Sequence, residues 1–385
     1  MVKGSIKNII NRIFLLFLFI IILVSEPGCE KDSVEKISGG PTSYIFPELA
    51  QFPQRLNIPS NNPTTIEGVK LGRYLFYDGR LSGRNDPDSM MSCATCHIQS
   101  NGFECGSDHP KFKGHPFGLP SAEYPQGEPT DHVMLHIINT VYNSNGYSWN
   151  GGSSTIESVV AGVIVDPHEI NGSFERTVSL ITSIPMYKPM FEAAFGSEEV
   201  NMDRISKAIA QFVRTIIAYR FKFYKYIKHE AELTPSELHG YQLFYSEDGD
   251  CFHCHAGSLL MTTTEYYNNA KDTVDDPTDR YSVSGNLIDK GAYRAPSLIN
   301  CEINGPYMHD GRFKTLDEVI DFYATGLKYS DYVSSWMTYV QYGGNHLNDQ
   351  QKADLKAFLL TLTDHELLTD PAYSCPDDLG EWGVR

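Results

Sequence analysis

Apolar residues along the chain recur mainly at helical spacing, between long polar stretches rich in Gly, Pro, Asn and Asp. From Asp203 to Glu230 this periodicity predicts one long helix with an apolar stripe facing a core. Thr234 and Pro235 predict the start of a second helix, because Thr caps helix N-termini and Pro fits the first turn. A final helix is predicted from Asn348 to Leu362. Since alternating, strand-like patterns are sparse, the predicted fold class is mainly α.

The first thirty residues carry an export pattern. Basic residues precede an unbroken apolar run from Ile13 to Val24, and a polar break follows before Cys29. This order is typical of a secretory signal, and the run is short for a hydrocarbon layer about 30 Å thick. We predict a lipoprotein-type signal over residues 1–28, a lipid on Cys29 and a flexible tether over 29–43. An uncleaved N-terminal anchor is the alternative.

Composition narrows the class of protein. Of the 385 residues 41% are apolar and 12% aromatic, which is enough for buried cores. At about 100–200 residues per domain, the length favours two domains. The formal charge of −17 leaves no evident basic face for phosphates, which argues against a nucleic-acid binder. Eight cysteines are too few for a disulfide scaffold of this length, so their spacing becomes the informative feature.

Two cysteine motifs carry chemistry. Residues 93–97 and 251–255 both read C-x-x-C-H, the attachment pattern of c-type haem. Two thiols at this spacing reach both vinyl groups of one porphyrin, and the adjoining histidine ligates the iron. A zinc site would need a further Cys/His pair at matched spacing, which the sequence lacks. We predict two covalently bound haem c groups, held by Cys93, Cys96, His97, Cys251, Cys254 and His255.

The residues around the two motifs also repeat. Gly72–Tyr77 precedes the first motif as Gly240–Tyr245 precedes the second, and Trp149–Glu157 aligns with His309–Asp317. The offset is 158 residues at the motifs and 160 at the later block. A near-constant offset indicates one haem domain copied in tandem. The sequence therefore predicts two cytochrome c-like haem domains, over residues 44–225 and 226–385.

The order of these motifs resembles the bacterial di-haem cytochrome c peroxidase/MauG family over nearly the whole mature chain. The matching segments are Leu71–Asp78, Trp149–Gly151, Asp166–Glu169, Arg294–Leu298 and Pro306–Gly311. The resemblance implies that the N-terminal haem meets hydrogen peroxide. It also implies that the C-terminal haem relays electrons from an external donor.

The resemblance assigns roles near the first haem. Glu157, eight residues after Trp149, falls where the family has its catalytic glutamate, and such a carboxylate would move a proton between the peroxide oxygens. Without the resemblance, Glu157 is a first-turn helix residue that interacts with the helix dipole. Tyr147 stands at the position of a companion glutamine and keeps a hydrogen-bond donor there. The aromatic that often lies between the haems is expected to be replaced near Ile137.

The resemblance also points to an iron ligand for the second haem, fourteen residues after His309. Peroxidases of the family have Met there, whereas this chain has Tyr323, as MauG-like members do. An anionic oxygen ligand favours ferric iron. Met308 and Met337 are the alternative ligands, with Tyr323 then a buried aromatic. Counting 160 residues back from Tyr323 gives Val163, which cannot bind iron and leaves the first haem open.

Other residues are assigned by the resemblance alone. By this resemblance His109 or His115 could cap the resting first haem, but we expect both to be solvent-exposed loop histidines. Asn304 and Pro306 would supply backbone oxygens to a calcium ion. At most one intrachain disulfide can form among the three remaining cysteines, Cys105, Cys301 and Cys375.

The predicted function is the reduction of hydrogen peroxide to water with electrons from a small cytochrome c or cupredoxin. The predicted location is the periplasm or the outer-membrane surface, with a lipid anchor. Because members of the family commonly dimerise, the resemblance also implies a homodimer. One alternative is MauG-like oxidation of a protein or small-molecule substrate through a high-valent di-haem state, which Tyr323 favours. Another is a non-enzymatic electron carrier in which both irons are six-coordinate.

Overall fold

The computed structural model describes residues 40–84, 90–106, 130–273 and 276–384. Regular structure in these residues is mainly helical, which confirms the predicted fold class. The α-helices are α1 Ile66–Tyr77, α2 Cys93–Cys96, α3 Ile156–Val165, α4 Phe174–Ser183, α5 Tyr187–Phe195, α6 Met202–Thr215, α7 Lys222–Ile227, α8 Pro235–Phe244, α9 Phe252–His255, α10 Tyr281–Ser284, α11 Leu316–Thr325 and α12 Asp349–Leu360. Strands β1 Tyr266–Tyr267 and β2 Tyr293–Arg294 pair antiparallel, with Tyr266 opposite Arg294.

Several predictions of the N-terminal region lie outside the described residues. These are the signal over 1–28, Cys29 and most of the tether over 29–43, together with His109 and His115 in a later gap. They stay predictions. Among the helices that the structure describes, none is both long enough and apolar enough to cross a bilayer.

In each half of the chain, a helix crosses its neighbour closely at a glycine that faces a backbone carbonyl. In the first half α1 packs on α6, and a Cβ added at Gly72 would lie 1.9 Å from the carbonyl oxygen of Ala208. In the second half α8 packs on α12, and a Cβ added at Gly240 would lie 1.9 Å from the carbonyl oxygen of Asp354. Backbones this close leave room only for hydrogen, so glycine is required at both crossings.

A turn and a capped helix repeat as well. Tyr147 bridges Ser153 just before α3, whose N-cap is Thr155. Tyr307 bridges Phe313 just before α11, and the N-cap there is Thr315. Both the bridge and the N-cap recur at an offset of 160 residues, so the structure supports the tandem duplication.

The prediction of one long helix from Asp203 to Glu230 is wrong at residues 216–221. It divides into α6 and α7, and residues 216–221 between them are not helical and largely buried. Side chains from outside the segment hold its backbone: Asn139 Nδ2 donates to Ala218 O (3.1 Å) and Asn139 Oδ1 accepts from Ala218 N (2.9 Å). Asp364 Oδ2 accepts from the next two backbone N–H groups. These side chains replace the helical hydrogen bonds, which the apolar periodicity could not reveal.

The other predicted helix limits agree with the structure. The helix predicted to start at Thr234 is α8, where Glu237 N donates to Thr234 Oγ1 (3.3 Å) and Thr234 N donates to the Glu237 carboxylate (2.6 Å). This reciprocal pair is a capping box. The helix predicted from Asn348 to Leu362 is α12, capped by the Asn348 side chain.

The division into residues 44–225 and 226–385 stays a prediction. Residues 41–385 form one compact unit, and the boundary at 225 falls inside α7. The C-terminal segment returns to the first half, because Arg73 donates to Ser374 O (2.6 Å) and Val384 N donates to Tyr77 O (3.0 Å). The last residues of the chain therefore pack against α1.

Candidate active site

The first C-x-x-C-H motif forms a one-turn helix that leaves its histidine ready to bind a metal. α2 spans Cys93–Cys96, and His97 follows as its C-cap with its N–H donating to Cys93 O. His97 Nδ1 lies 2.9 Å from Phe103 O, so Nδ1–H donates there and Nε2 is left as the ligand atom. Burial lowers the pKa of His97 to about 4, which keeps the imidazole neutral as metal ligation requires.

The second motif repeats this arrangement. His255 N donates to Cys251 O (3.1 Å), and His255 Nδ1 lies 3.3 Å from Met261 O, six residues further on as Phe103 is from His97. Burial lowers the pKa of His255 to about 4 and raises the pKa of the Cys251 and Cys254 thiols to about 12. Two cysteine thiols beside a neutral histidine suit thioether attachment of haem at both motifs.

A cavity of about 560 Å³ opens beside the first motif. Residues of both halves line it, among them His97, Tyr147, Trp149, Glu169, Thr262 and Arg294. A smaller cavity of about 80 Å³ adjoins Cys93, Cys96 and His97. Volumes of this order accommodate cofactors and small ligands, so the residues around the first motif fit a haem group.

Glu169 brings a carboxyl group into both cavities. Burial, with a smaller contribution from Asp166, raises the pKa of Glu169 to about 7. The Glu169 charge in turn raises the pKa of the Cys93 and Cys96 thiols, which are buried beside it. A carboxyl with a near-neutral pKa can both take up and release a proton at physiological pH.

Arg84 holds the turn that carries Glu169 through hydrogen bonds to its backbone. The buried Arg84 guanidinium donates to the carbonyl oxygens of Pro167 (3.4 Å), His168 (3.0 Å) and Glu169 (3.2 Å). At the other side of the turn, His168 Nδ1 lies 3.1 Å from Asp166 Oδ1. Arg84 therefore fixes the backbone of Glu169, and the Asp166–His168 pair of the same turn is partly exposed.

Glu157, predicted as the acid/base, faces away from these two cavities and lines neither of them. Arg214 Nη2 donates to both of its carboxylate oxygens (2.9 and 2.8 Å), and Asn62 Nδ2 donates to Oε1 (2.6 Å). The cavity side of α3 is formed by Ile156, Val159 and Val163 instead. Helix rotation therefore gives Glu157 a structural ion pair with a guanidinium that is 1% exposed. Glu157 as the acid/base stays a prediction, and Glu169 is the glutamate that lines both cavities beside His97.

Tyr147 lies in the cavity wall. The phenol is buried, accepts a hydrogen bond from Asn57 Nδ2 (3.2 Å) and donates to Asn143 O (3.4 Å). Its hydroxyl is therefore engaged with loop residues, and its ring contributes to the wall.

The Trp149 side chain lies where residues of the two halves meet. Trp149 lines the large cavity, its Nε1 donates to Val133 O (2.8 Å), and its ring packs in a cluster with Tyr293 of the second half. Arg294 N donates to Trp149 O (2.8 Å), which ties this residue directly to β2. The expected replacement of the inter-haem aromatic near Ile137 stays a prediction.

Comparisons with known proteins identify the family of this chain. Residues 66–232 match the family description "Di-haem cytochrome c peroxidase". Cytochrome c551 peroxidase of Nitrosomonas europaea is 30% identical over 269 residues, covering 69% of this chain and 75% of the relative. The methylamine utilization protein MauG of Methylorubrum extorquens is 28% identical over 312 residues, covering 80% and 82%. This chain belongs to the di-haem cytochrome c peroxidase/MauG family.

Solved structures show the same architecture. A MauG-like protein associated with microbial copper homeostasis superposes with a TM-score of 0.74 and 28% identity, covering 86% of this chain and 99% of that one. The di-haem peroxidase BthA of Burkholderia thailandensis has a TM-score of 0.64 at 21% identity, covering 84% and 96%. The two tandem cytochrome c-like domains are thus the fold of this family, which also implies two c-type haems.

In this family member, all three candidate ligands of the second iron lie in one hydrophobic cluster. Tyr323, Met308 and Met337 pack together, and Asn269 Nδ2 donates to Tyr323 OH (3.2 Å) and to Met308 Sδ (3.5 Å). Burial raises the pKa of Tyr323, and the Cys254 and Cys251 thiols act in the same direction, which places the phenol near that motif. Tyr323 as ligand stays a prediction.

The equivalent position in the first half carries no ligand atom. Val163 lines both cavities beside His97. An apolar residue here is consistent with an iron whose sixth position is free for peroxide.

Calcium binding also stays a prediction. Asn304 is buried, and both polar atoms of its side chain lack a hydrogen-bond partner. It precedes the Gly305–Pro306 peptide, which is cis. His309 closes the following turn by stacking on Tyr293, with ring centroids 3.6 Å apart.

Proposed function

We propose that this family member reduces hydrogen peroxide to water at its first haem site, with Glu169 as the acid/base and a small redox protein as the electron donor. The observation that carries the proposal is the near-neutral carboxyl of Glu169 in the cavity that contains His97. Bound haem would supply a redox-active iron with an open coordination position.

The chain's own residues would handle the protons. Glu169 takes a proton from one peroxide oxygen and gives it to the other, so that the O–O bond breaks and one water leaves. Two electrons from the donor and two further protons complete the conversion of one peroxide to two waters. The Asp166–His168 pair, which is partly exposed, is placed to exchange protons between Glu169 and solvent.

Steady-state peroxide turnover of matched carboxylate variants tests this assignment. Glu169→Gln should lose about 10²–10⁴-fold in kcat, because an amide cannot transfer the proton. Glu157→Gln should keep its activity once folded but lose about 3 kcal/mol of unfolding free energy, since buried Arg214 loses its carboxylate. Full activity in Glu169→Gln would reject the proposed acid/base, and selective loss in Glu157→Gln would assign that role to Glu157.

A second candidate function is MauG-like oxidation of a protein or small molecule. It is favoured by Tyr323, which lies in the ligand cluster of the second motif. With peroxide supplied and the donor omitted, this function predicts oxidised products in a co-incubated substrate, read by mass spectrometry. Fast peroxide turnover that strictly requires a reduced small redox protein would favour the peroxidase.

A further inference from the structure

Three side chains with metal-ligand chemistry converge next to the second haem motif. Glu247, Asp250 and His253 each offer one ligand atom, and these atoms all lie within 4.8 Å of one another. His253 Nε2 is 3.3 Å from Glu247 Oε2 and 3.4 Å from Asp250 Oδ1. His253 is one of the variable residues of the motif, so haem attachment does not use it.

The cluster is oriented by its surroundings. The Asp250 side chain is only 10% exposed, and Thr338 Oγ1 donates to its Oδ2 (3.0 Å). Asp250 Oδ1 is buried, accepts no hydrogen bond and points toward His253. The His253 ring stacks on Trp336, with centroids 5.0 Å apart and planes 22° apart. A desolvated carboxylate oxygen without a donor is costly unless something positive fills the gap.

The distances favour a cation over a simple ion pair. Charge-assisted N–H···O bonds are usually about 2.7–2.9 Å long, shorter than both separations here. In a tetrahedral site with bonds of about 2.0–2.2 Å, neighbouring donor atoms lie about 3.3–3.6 Å apart. The separations of 3.3 and 3.4 Å match that spacing.

We propose that Glu247, Asp250 and His253 bind a divalent transition-metal cation such as Zn²⁺, with the remaining position open to water. One imidazole nitrogen and two carboxylates are a donor set that suits zinc, whereas calcium and magnesium prefer oxygen ligands alone.

The site lies close enough to the second haem motif to affect it. Asp250 directly precedes Cys251, and His253 lies between the two attachment cysteines of the motif. A bound divalent cation would neutralise the negative charge of the two carboxylates and so raise the reduction potential of the attached haem. The effect on electron supply rests on the proposed function, whereas cation binding itself does not.

Zinc titration of the full-chain holoprotein by calorimetry tests the site. The wild type should bind one equivalent of Zn²⁺ that excess Ca²⁺ does not displace. His253→Gln and Glu247→Gln should each weaken this binding at least tenfold, since each removes one ligand. Glu247 is 71% exposed, so its variant should fold even if His253→Gln attaches haem poorly.

His239→Gln is the matched control. His239 also pairs with one carboxylate on the surface of the second half, at 2.6 Å from Asp354 Oδ2, but has no third ligand beside it. It should bind zinc like the wild type. Absence of zinc binding in the wild type, or equal affinity in all four proteins, would overturn the site.

A redox titration provides a second readout. Zinc should raise the potential of one haem in the wild type and in His239→Gln, but not in Glu247→Gln. A shift of the same size in Glu247→Gln would place the responsible cation elsewhere and overturn the proposal. Because neither readout uses peroxide, failure here is distinguishable from failure of the peroxidase assignment.

Discussion

At the scale of single residues, Glu157 and Glu169 differ in their position relative to the cavity beside His97. Glu157 and Glu169 lie at opposite ends of the same helix–turn segment, yet only Glu169 lines the cavity beside His97. Glu157 neutralises buried Arg214. The segment Asp166–Glu169 already stood out in the sequence as a match to the family, but sequence spacing alone did not show which carboxylate lines the cavity.

The pH dependence should follow Glu169. Its pKa of about 7 predicts that kcat/KM for peroxide rises as pH increases through 7, because the deprotonated carboxylate is the base. Between the ordinary pKa near 4.3 and about 7, the folded state binds more protons than the unfolded state, so unfolding free energy should fall as pH rises. Glu169→Gln should lose both dependences. An unchanged pH profile in this variant would assign the titration to another group.

Tyr323 can be tested through the second haem. Tyr323→Met should raise the potential of that haem by about 0.1 V or more, because axial ligands set potentials over a range of about 0.8 V. Tyr142→Met, at a buried tyrosine of the first half, should leave this potential unchanged. If redox titration shows no shift in Tyr323→Met, the ligand is one of the neighbouring methionines.

At the scale of elements, two glycine crossings set the distance between helices in both halves. Helices α1 and α8 approach their partners so closely that only glycine fits at Gly72 and Gly240. The duplication explains why glycine stands at a close helix crossing in both halves. By contrast, the break between α6 and α7 was not predictable, because its residues are as apolar as a helix stripe and are held by Asn139 and Asp364 from distant loops.

Alanine variants at three glycines test the crossings. Gly72→Ala and Gly240→Ala should each cost about 2–3 kcal/mol of unfolding free energy, since the new methyl group meets a backbone carbonyl. Gly162→Ala in α3 is the control, because no atom lies within 4 Å of the added carbon. It should gain about 0.5–1 kcal/mol through helix propensity. Chemical denaturation measures all three, and tolerance of alanine at both crossings would contradict the close packing.

At the scale of the whole molecule, the chain is a tandem duplication whose halves differ at equivalent positions, with Val163 in the first half and Tyr323 in the second. The two attachment motifs, the mainly helical class and the repeated Trp149 and His309 turns were predictable, because spacing and residue type define them locally. The return of the C-terminal segment to α1 and the Glu247–Asp250–His253 cluster were not, because they depend on tertiary contacts that sequence periodicity does not encode. Val163, which lines the cavities with His97, and Tyr323 in the second half show this difference most directly.

Electron paramagnetic resonance of the oxidised and half-reduced holoprotein tests the central claim most directly. An open first site beside His97, with Val163 at the position of Tyr323, predicts a high-spin ferric signal in at least one of the two states. Two low-spin, six-coordinate haems in both states would contradict the peroxidase assignment and indicate an electron carrier.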